Sequence, residues 1–169
     1  MATLIKERRI ATSNWQLLDL EDGRLPELPA GDLNVPLVLW RQRRDNLIAR
    51  AGGLGVRLEP ADDPASIAHD LDRFAVVAVN FPKAGDGRGY SIARLLRERY
   101  RYQGELRAVG DVLRDHLQLM AQCGFNAFAL RDDQDPQEAI TAFEDFSETY
   151  QGTVERPLPL FRRRFPAAA

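Results

Sequence analysis

The segment 75–91 constrains the fold more than any other part of the chain. It begins with an apolar run of small and β-branched residues, 75–79, which is typical of a strand buried on both faces of a sheet. A loop with three glycines at alternate positions follows, and from Ser91 onward the apolar residues recur with helical spacing. The segment therefore predicts a strand, a glycine-rich loop and a helix, an arrangement that brings backbone N–H groups and a helix N-terminus to one point.

The same alternation of strand and helix patterns recurs along the chain. We predict strands at 35–40, 55–59, 75–81, 105–109 and 127–130. Each is followed by a predicted helix, at 41–51, about 64–71, 90–100, 111–123 and 136–150. Five successive strand–helix units predict an α/β fold with a mainly parallel sheet. An open doubly wound sheet and a partial barrel both fit, whereas a complete barrel needs about 250 residues.

The two ends of the chain have a different character. Residues 1–155 are predicted to form a single α/β domain, and within it 1–34 are predicted to form an N-terminal β-hairpin followed by a linker rich in proline and glycine. Residues 156–169 carry several arginines between prolines, so we predict a flexible basic tail.

Composition argues against several classes of protein. The chain has 23 Lys and Arg against 25 Asp and Glu, a formal net charge of −2, which gives no reason to expect binding to nucleic acid or to a membrane surface. No apolar run approaches the roughly 20 residues that span a bilayer, and the charged N-terminus lacks a signal-peptide core, so a cytoplasmic location is expected. Cys123 is the single cysteine of these 169 residues, which excludes a disulfide or a multi-cysteine metal site within them; no metal site is predicted.

The glycine-rich loop is the first candidate for a functional site. Its backbone amides can hold a small anion or a phosphate, and its two cations would supply charge. The candidate residues are Lys83, Gly85, Gly87, Arg88, Gly89 and Ser91. The loop matches neither the phosphate-binding G-x-x-x-x-G-K-[ST] pattern nor G-x-G-x-x-G. The alternative is a tight turn in which the glycines adopt positive φ.

Further candidates follow from the expected topology. The carboxyl ends of parallel strands share one edge, where ligands bind in such folds, and this places Asn80, Asp111 and Arg131 near the loop. Alternatively, Asp111 is the N-cap of the next helix. The acidic residues after Arg131 can likewise stabilise the N-terminus of the helix that follows them.

Other conspicuous side chains favour structural roles. Cys123, at a helix end, is predicted to be a packed core residue, and His69 and His116 have no partner at metal-binding spacing. The arginines at 94, 97, 99 and 101 are predicted to form a solvated helix face, with docking of an acidic partner as the alternative.

Three segments carry a resemblance to a known family. Residues 81–91 read FPKAGDGRGYS, residues 110–115 read GDVLRD, and residues 123–128 read CGFNAF. Together they resemble a bacterial family of unknown function, and the resemblance extends over nearly the whole chain. Members are small cytoplasmic proteins, described as possible oxidoreductases of sulfite reduction, and their genes often lie beside that for assimilatory sulfite reductase. The family offers no catalytic residue to carry over.

The resemblance implies a pathway, and the residues suggest the kind of role. The sequence contains no flavin or nicotinamide fingerprint and no haem-attachment motif, so it identifies no cofactor. We therefore expect an accessory protein that docks to sulfite reductase or its electron donor. One alternative is an enzyme that binds a phosphorylated or nucleotide ligand at the loop 82–91. Another is a homodimer in which two incomplete barrels or sheets pack together.

Overall fold

The computed structural model describes residues 2–19 and 27–163. Eight strands form one mixed sheet, curled into a half-barrel, in the order β2-β1-β8-β7-β6-β5-β4-β3. The strands are β1 Ala2–Lys6, β2 Arg9–Ser13, β3 Gln16–Leu17, β4 Leu33–Pro36, β5 Leu54–Leu58, β6 Val76–Phe81, β7 Glu105–Gly110 and β8 Ala127–Phe128. The mainly parallel α/β sheet that the sequence predicted is confirmed.

The connections between the strands contain short helical segments of several kinds. The α-helices are α1 Leu37–Ala49, α2 Arg88–Arg94, α3 Leu117–Gln122, α4 Pro136–Ala139 and α5 Leu160–Arg163. A π-helical turn, Leu95–Arg99, continues α2. The 3-10 segments are Pro64–Arg73, Arg114–His116 and Ile140–Glu144.

Strand order distinguishes between the two predicted closures. The strands β3 to β8 are parallel and lie beside one another in the order in which they occur along the chain. Each connection therefore crosses to the next strand in the same direction. Because crossovers of one handedness lie on one side, their helical segments lie on the same face of the sheet. A doubly wound sheet requires a reversal of strand order, which this sheet lacks among its described strands. The half-barrel therefore corresponds to the partial-barrel alternative.

Five regular strand–helix units are not confirmed. The segment after β5 is a 3-10 helix. Asp63 caps it by accepting a hydrogen bond from the Ala65 amide (2.9 Å), and it buries Ile67. The helix expected at 136–150 gives way to a 3-10 turn that ends at Glu144, and Phe146, beyond that turn, is 67% exposed. Apolar spacing identified most of the buried residues, but it does not distinguish α from 3-10 hydrogen bonding.

The first strand–helix boundary lies earlier than predicted. The apolar run 35–40 was assigned to a strand, but β4 ends at Pro36 and α1 begins at Leu37. Leu37, Leu39 and Trp40 are buried in the first turn of that helix. A short, continuous apolar run carries no periodicity, so it fits a strand and a helix equally well.

The predicted N-terminal hairpin is confirmed and becomes part of the main sheet. β1 and β2 pair antiparallel around a two-residue turn, Glu7 and Arg8, both of which have positive φ. Such turns match the twist of the two strands that they connect. β1 also pairs antiparallel with β8, with Ile5 opposite Phe128.

The curl of the sheet follows from how its two edge strands are connected. β2 and β3 lie at opposite ends of the strand order, yet only Asn14 and Trp15 separate them in sequence. Three Cα–Cα steps keep Ser13 and Gln16 within about 11 Å of each other. Across the interior, Arg107 of β7 donates a hydrogen bond from Nη1 to Ser13 Oγ (3.1 Å). The concave face is therefore a small, largely enclosed interior.

The sheet separates two packed regions. On the convex side the Phe81 ring lies 5.4 Å from the Tyr90 ring and 5.7 Å from the Phe125 ring. On the concave side Val76 and Ala78 are buried beside the ion pair of Glu105 and Arg107.

Parts of two predicted segments lie outside the described residues: 20–26 of the N-terminal region and 164–169 of the tail. Within the predicted tail, Leu160–Arg163 form a helical turn, and the flexibility of the tail stays a prediction. Among the helices of the described ranges, none combines the length and the apolar character needed to cross a membrane.

Candidate functional site

Polar side chains at the carboxyl ends of the parallel strands contact one another across the edge of the sheet. Asn80, next to last in β6, donates from Nδ2 to Glu59 Oε2 (2.6 Å), just after β5. Glu59 in turn accepts a hydrogen bond from Arg57 Nε (3.2 Å), and Arg57 also pairs with Asp19. Asn80 therefore lies at the edge where the topology was expected to place it, and its amide is engaged with a carboxylate.

Asp111 connects the glycine-rich loop to the far side of this edge. Its Oδ2 accepts a hydrogen bond from the Ala84 amide (2.8 Å), and its Oδ1 accepts one from Arg131 Nη1 (2.7 Å). The Ala84 N–H and then the Arg131 guanidinium lower the pKa of the Asp111 carboxyl. The prediction of a helix N-cap is wrong, because β7 continues to Gly110 and the next helical turn starts only at Arg114.

Arg131 is shared between two carboxylates. Besides Asp111, it binds Asp133 through both Nε (2.6 Å) and Nη2 (2.7 Å). These two partners raise the pKa of its guanidinium above the usual range, Asp133 contributing most. Arg131 thus reaches the edge as predicted, and its hydrogen-bonding capacity is already directed at protein carboxylates.

The cations of the loop have different environments. Arg88 binds Asp86 in the same loop, with Nε at 3.0 Å from Oδ1 and Nη2 at 2.7 Å from Oδ2. This hydrogen bonding lowers the pKa of the Asp86 carboxyl. Lys83 is exposed, and its ammonium forms no ion pair with another described residue. The planar fork of Arg88, expected to bind an anion, is therefore occupied by Asp86.

The three glycines of the loop serve different purposes. None of them is among the glycines with positive φ, so the prediction that the turn requires left-handed backbone is wrong. A Cβ on Gly89 would lie 2.5 Å from Cζ of Phe81, which means that α2 packs on β6 too closely for a side chain there. A Cβ on Gly85 or on Gly87 would meet no atom of a described residue within 4 Å. The fold therefore requires Gly89, whereas Gly85 and Gly87 have open space around them.

The structure brings most of the predicted residues together. Lys83, Arg88 and Ser91 belong to the loop and to the first turn of α2, and Asp111 contacts the loop through Ala84. Arg131 donates hydrogen bonds to Asp111 and to Asp133. This arrangement does not by itself identify a metal, an anion or a cofactor that the loop binds. Ligand binding at the loop therefore stays a prediction.

The arginine-rich helix is only partly a solvated face. Arg97 is half-buried and donates hydrogen bonds to the carbonyls of Tyr102 (2.6 Å), Gly104 (2.9 Å) and Gly124 (2.9 Å). Burial lowers the pKa of its guanidinium. Arg94 is exposed and pairs with Glu98 one turn later (2.7 Å), as a solvated helix face predicts. The prediction of a solvated face is thus wrong for Arg97 and fits Arg94.

Cys123 is buried, as predicted, and burial raises the pKa of its thiol. His69 and His116 do not join a metal-binding group: within 2–19 and 27–163, no three or more His, Cys, Asp or Glu residues are arranged to hold a metal ion.

Sequence reasoning missed a cavity of about 350 Å³ that opens beside Gly110 and Arg131. Its wall includes Asn34 and Arg107, both on the concave face. A signal was available in β7, where Glu105 and Arg107 alternate with apolar residues in a strand that lies in the middle of the sheet. Charges at alternate positions of such a strand indicate a polar interior on one face.

Comparison with known proteins identifies one family. A family model described as "Bacterial protein of unknown function (DUF934)" matches residues 55–161. The matched segment includes the glycine-rich loop, Asp111 and Arg131, and it covers more than half of the chain. No curated protein and no solved structure matches this chain.

Proposed function

Because the chain belongs to the bacterial family DUF934, whose function is unknown, we propose that it is an accessory protein of assimilatory sulfite reduction. In this role it docks to sulfite reductase or to its electron donor and supports the delivery of electrons or substrate. The pathway rests on the resemblance carried by residues 81–91, 110–115 and 123–128. The proposed docking surface is the loop 82–91.

The observation that supports docking is that this loop is both exposed and held in place. The Ala84 amide is bound by Asp111, and Arg88 is bound by Asp86, so the loop has a defined conformation before any partner arrives. Preorganisation reduces the entropy lost on association. Lys83, Gly85 and Gly87 meanwhile face solvent.

Gly85 and Gly87 strengthen this argument. Open space surrounds both positions, so packing of this chain alone does not demand glycine there. A partner whose surface approaches the backbone at these residues would demand it, because any side chain would hold the two surfaces apart.

A second exposed surface adjoins the loop. α2 begins at Arg88 directly after the loop, and Arg94 lies exposed on it. A groove of about 1090 Å³ runs beside this helix, and its lining includes Arg94 and Arg101 together with Glu7, Glu98 and Glu155. Because both charges are present there and Arg94 is paired with Glu98, the groove favours no partner charge, and the proposed docking surface is the loop.

The competing function, an enzyme that binds a phosphorylated or nucleotide ligand at the loop, has less support in this geometry. Arg88 and Arg131 are both paired with carboxylates, so a phosphate would have to displace a protein partner to reach either one. The exposed ammonium of Lys83 is the loop's contribution to such a ligand.

The proposal is tested by affinity capture of the tagged protein from its native bacterium during sulfate-limited growth, with sulfite reductase quantified by mass spectrometry. We expect wild type to capture sulfite reductase or its electron donor. We expect Lys83→Ala/Arg88→Ala and Gly85→Gln/Gly87→Gln to reduce capture by about tenfold, which corresponds to about 1.4 kcal/mol of binding free energy. Arg9→Ala is the matched control, because it removes an exposed cation next to Lys6, toward the opposite end of the parallel strands.

Two results would contradict docking through the loop. One is the absence of both proteins from the wild-type capture, and the other is equal capture by all variants. A parallel thermal-unfolding screen with inorganic phosphate and adenosine nucleotides separates the competing function. A rise in melting temperature that Lys83→Ala abolishes would favour the enzyme, because a ligand that binds only the folded state must stabilise it.

A further inference from the structure

We propose that the interior of the curled sheet is a binding site for an uncharged, mainly apolar small molecule that both donates and accepts hydrogen bonds. The site is the cavity of about 350 Å³ whose wall includes Asn34 and Arg107. It lies on the concave face, apart from the loop 82–91, and its existence does not depend on the proposed docking function.

The cavity has the position and the form of a small-molecule site. It opens at the carboxyl ends of β7 and β8, the end at which ligands bind in parallel barrels. Its volume lies within the range of about 300–1,000 Å³ that is usual for ligand pockets. The wall ranges from buried to exposed, since Leu4 is buried and Leu17 is 54% exposed. Trp15, Val109 and Leu130 contribute further apolar wall.

Asn34 supplies a buried acceptor that lacks a donor. It lies on β4, and strand alternation turns it to the concave face while Leu33 and Val35 join the convex core. The residue is 3% exposed, and its Oδ1 has no hydrogen-bond partner among the residues that the structure describes. A buried polar atom without a partner is rare in folded proteins and calls for an explanation. A ligand hydroxyl or N–H in the cavity would provide the missing donor.

Arg107 supplies donors that are fixed in place. It is 7% exposed, and its Nε and Nη2 bind Glu105 while its Nη1 binds Ser13 Oγ. Glu105 is held from the other side by Lys6 Nζ (2.7 Å). A guanidinium carries five N–H donors, so after these three hydrogen bonds Arg107 retains two. Those two can bind a carbonyl or ether oxygen of a ligand.

The charges around the cavity favour an uncharged ligand. At the mouth, Asp132 lines the opening, and Asp111 and Asp133 surround Arg131, so carboxylates outnumber the guanidinium. An anion is repelled there, and a cation gains no ion pair beside Arg107, because Glu105 is already bound by Arg107 and Lys6. Either ion would also lose its hydration against the apolar wall, which is unfavourable unless it is paired.

The test uses four probes of one size: benzamide, benzoate, benzylamine and toluene. Binding to the full-length protein is measured by isothermal titration calorimetry and by the shift in melting temperature. We expect benzamide to bind, because it offers a donor and an acceptor on an apolar ring. Benzoate and benzylamine are charged, and toluene has no hydrogen-bonding group. We expect each of them to bind at least about tenfold more weakly than benzamide.

Variants then assign the binding to the cavity. Asn34→Leu replaces the orphaned amide by an apolar group of similar size, which is expected to leave the fold intact. We expect it to raise the Kd of benzamide about tenfold and to leave that of toluene unchanged. Ala129→Phe places a ring in the cavity and is expected to abolish binding of all four probes. Ala65→Phe is the matched control, because Ala65 is exposed on the 3-10 helix Pro64–Arg73.

The proposal is overturned if benzamide fails to bind wild type, or if it binds Ala129→Phe as well as wild type. Equal affinity of Asn34→Leu and wild type for benzamide overturns the assigned role of Asn34. If either variant is unfolded by circular dichroism, the other still decides, because each blocks the site by a different route.

Discussion

At the scale of single residues, Gly110 shows how one backbone position holds the candidate edge together. Its φ is +92°, in the region that only glycine enters readily. A Cβ there would lie 2.5 Å from Asn80 Oδ1 and 2.5 Å from the Phe81 carbonyl oxygen. The turn also lets the Asp111 amide donate to that same carbonyl (2.7 Å). Gly110 thereby positions Asp111 to bind the loop.

We predict that Gly110→Ala destabilises the protein by about 1–3 kcal/mol, because a side chain at positive φ is strained and collides with β6. The measurement is urea-induced unfolding followed by circular dichroism. Gly87→Ala is the matched control, with open space and negative φ, and is expected to change stability by less than about 0.5 kcal/mol. Equal midpoints for the two variants would show that the turn tolerates a side chain.

At the scale of elements, the end of the helix after the loop is organised by Arg97. α2 widens into the π-helical turn Leu95–Arg99, and the chain then reverses through Arg101, which has positive φ. Arg97 binds carbonyls in the segment that leads into β7 and in the segment that follows α3. One guanidinium therefore connects three elements. It donates to backbone carbonyls near their ends that would otherwise be unpaired.

We predict that Arg97→Ala lowers the free energy of unfolding by about 2–3 kcal/mol, since hydrogen bonds from a charged group to buried carbonyls are lost. Arg97→Lys is expected to restore little of this, because an ammonium lacks the planar fork that reaches several acceptors at once. The control is Arg94→Ala, which removes an exposed i,i+4 pair and is expected to cost about 0.5 kcal/mol or less. Urea unfolding measures all three, and full rescue by lysine would argue that charge alone matters.

At the scale of the whole molecule, paired carboxylates make stability depend on acid pH. Hydrogen bonds from arginines are the largest cause of a lowered pKa in three aspartates: Asp70, Asp86 and Asp133. Asp111 is lowered first by the Ala84 amide and then by Arg131. A folded-state pKa below the unfolded value means that the unfolded chain binds more protons in that pH range.

Stability is therefore expected to be constant above the unfolded aspartate pKa of about 3.9 and to fall as the pH drops through the lower folded-state values. Urea midpoints between pH 6 and pH 3 measure this fall. Added salt should reduce it most at Asp133, whose side chain is 57% exposed, and least at Asp70 and Asp86, whose side chains are 14% exposed. Asp111→Asn removes one titrating group, so its stability should be lower at pH 6 and should depend less on pH. Stability that rises from pH 4 to pH 3 would contradict the account.

Local signals allowed the elements to be predicted, together with some of their boundaries. The hairpin turn, the caps at Asp63 and Asp135, and the strands around 76–81 and 105–110 each depend on residues a few positions apart. The edge residues Asn80, Asp111 and Arg131 could be placed by topology, because parallel strands end at one edge. The hydrogen bonds of those residues could not, since pairing with Glu59, Ala84 and Asp133 depends on the conformations of the loops.

The sequence by itself determined most of the segments that form strands and the edge on which their carboxyl ends meet, because alternation and capping act over short distances along the chain. The tertiary structure alone decided that the sheet curls and that a cavity lies between Asn34 and Arg107. Those features depend on contacts such as that of Arg107 with Ser13, 94 residues apart in sequence. No local pattern records such a contact, because its energy belongs to the closed sheet and to neither strand alone.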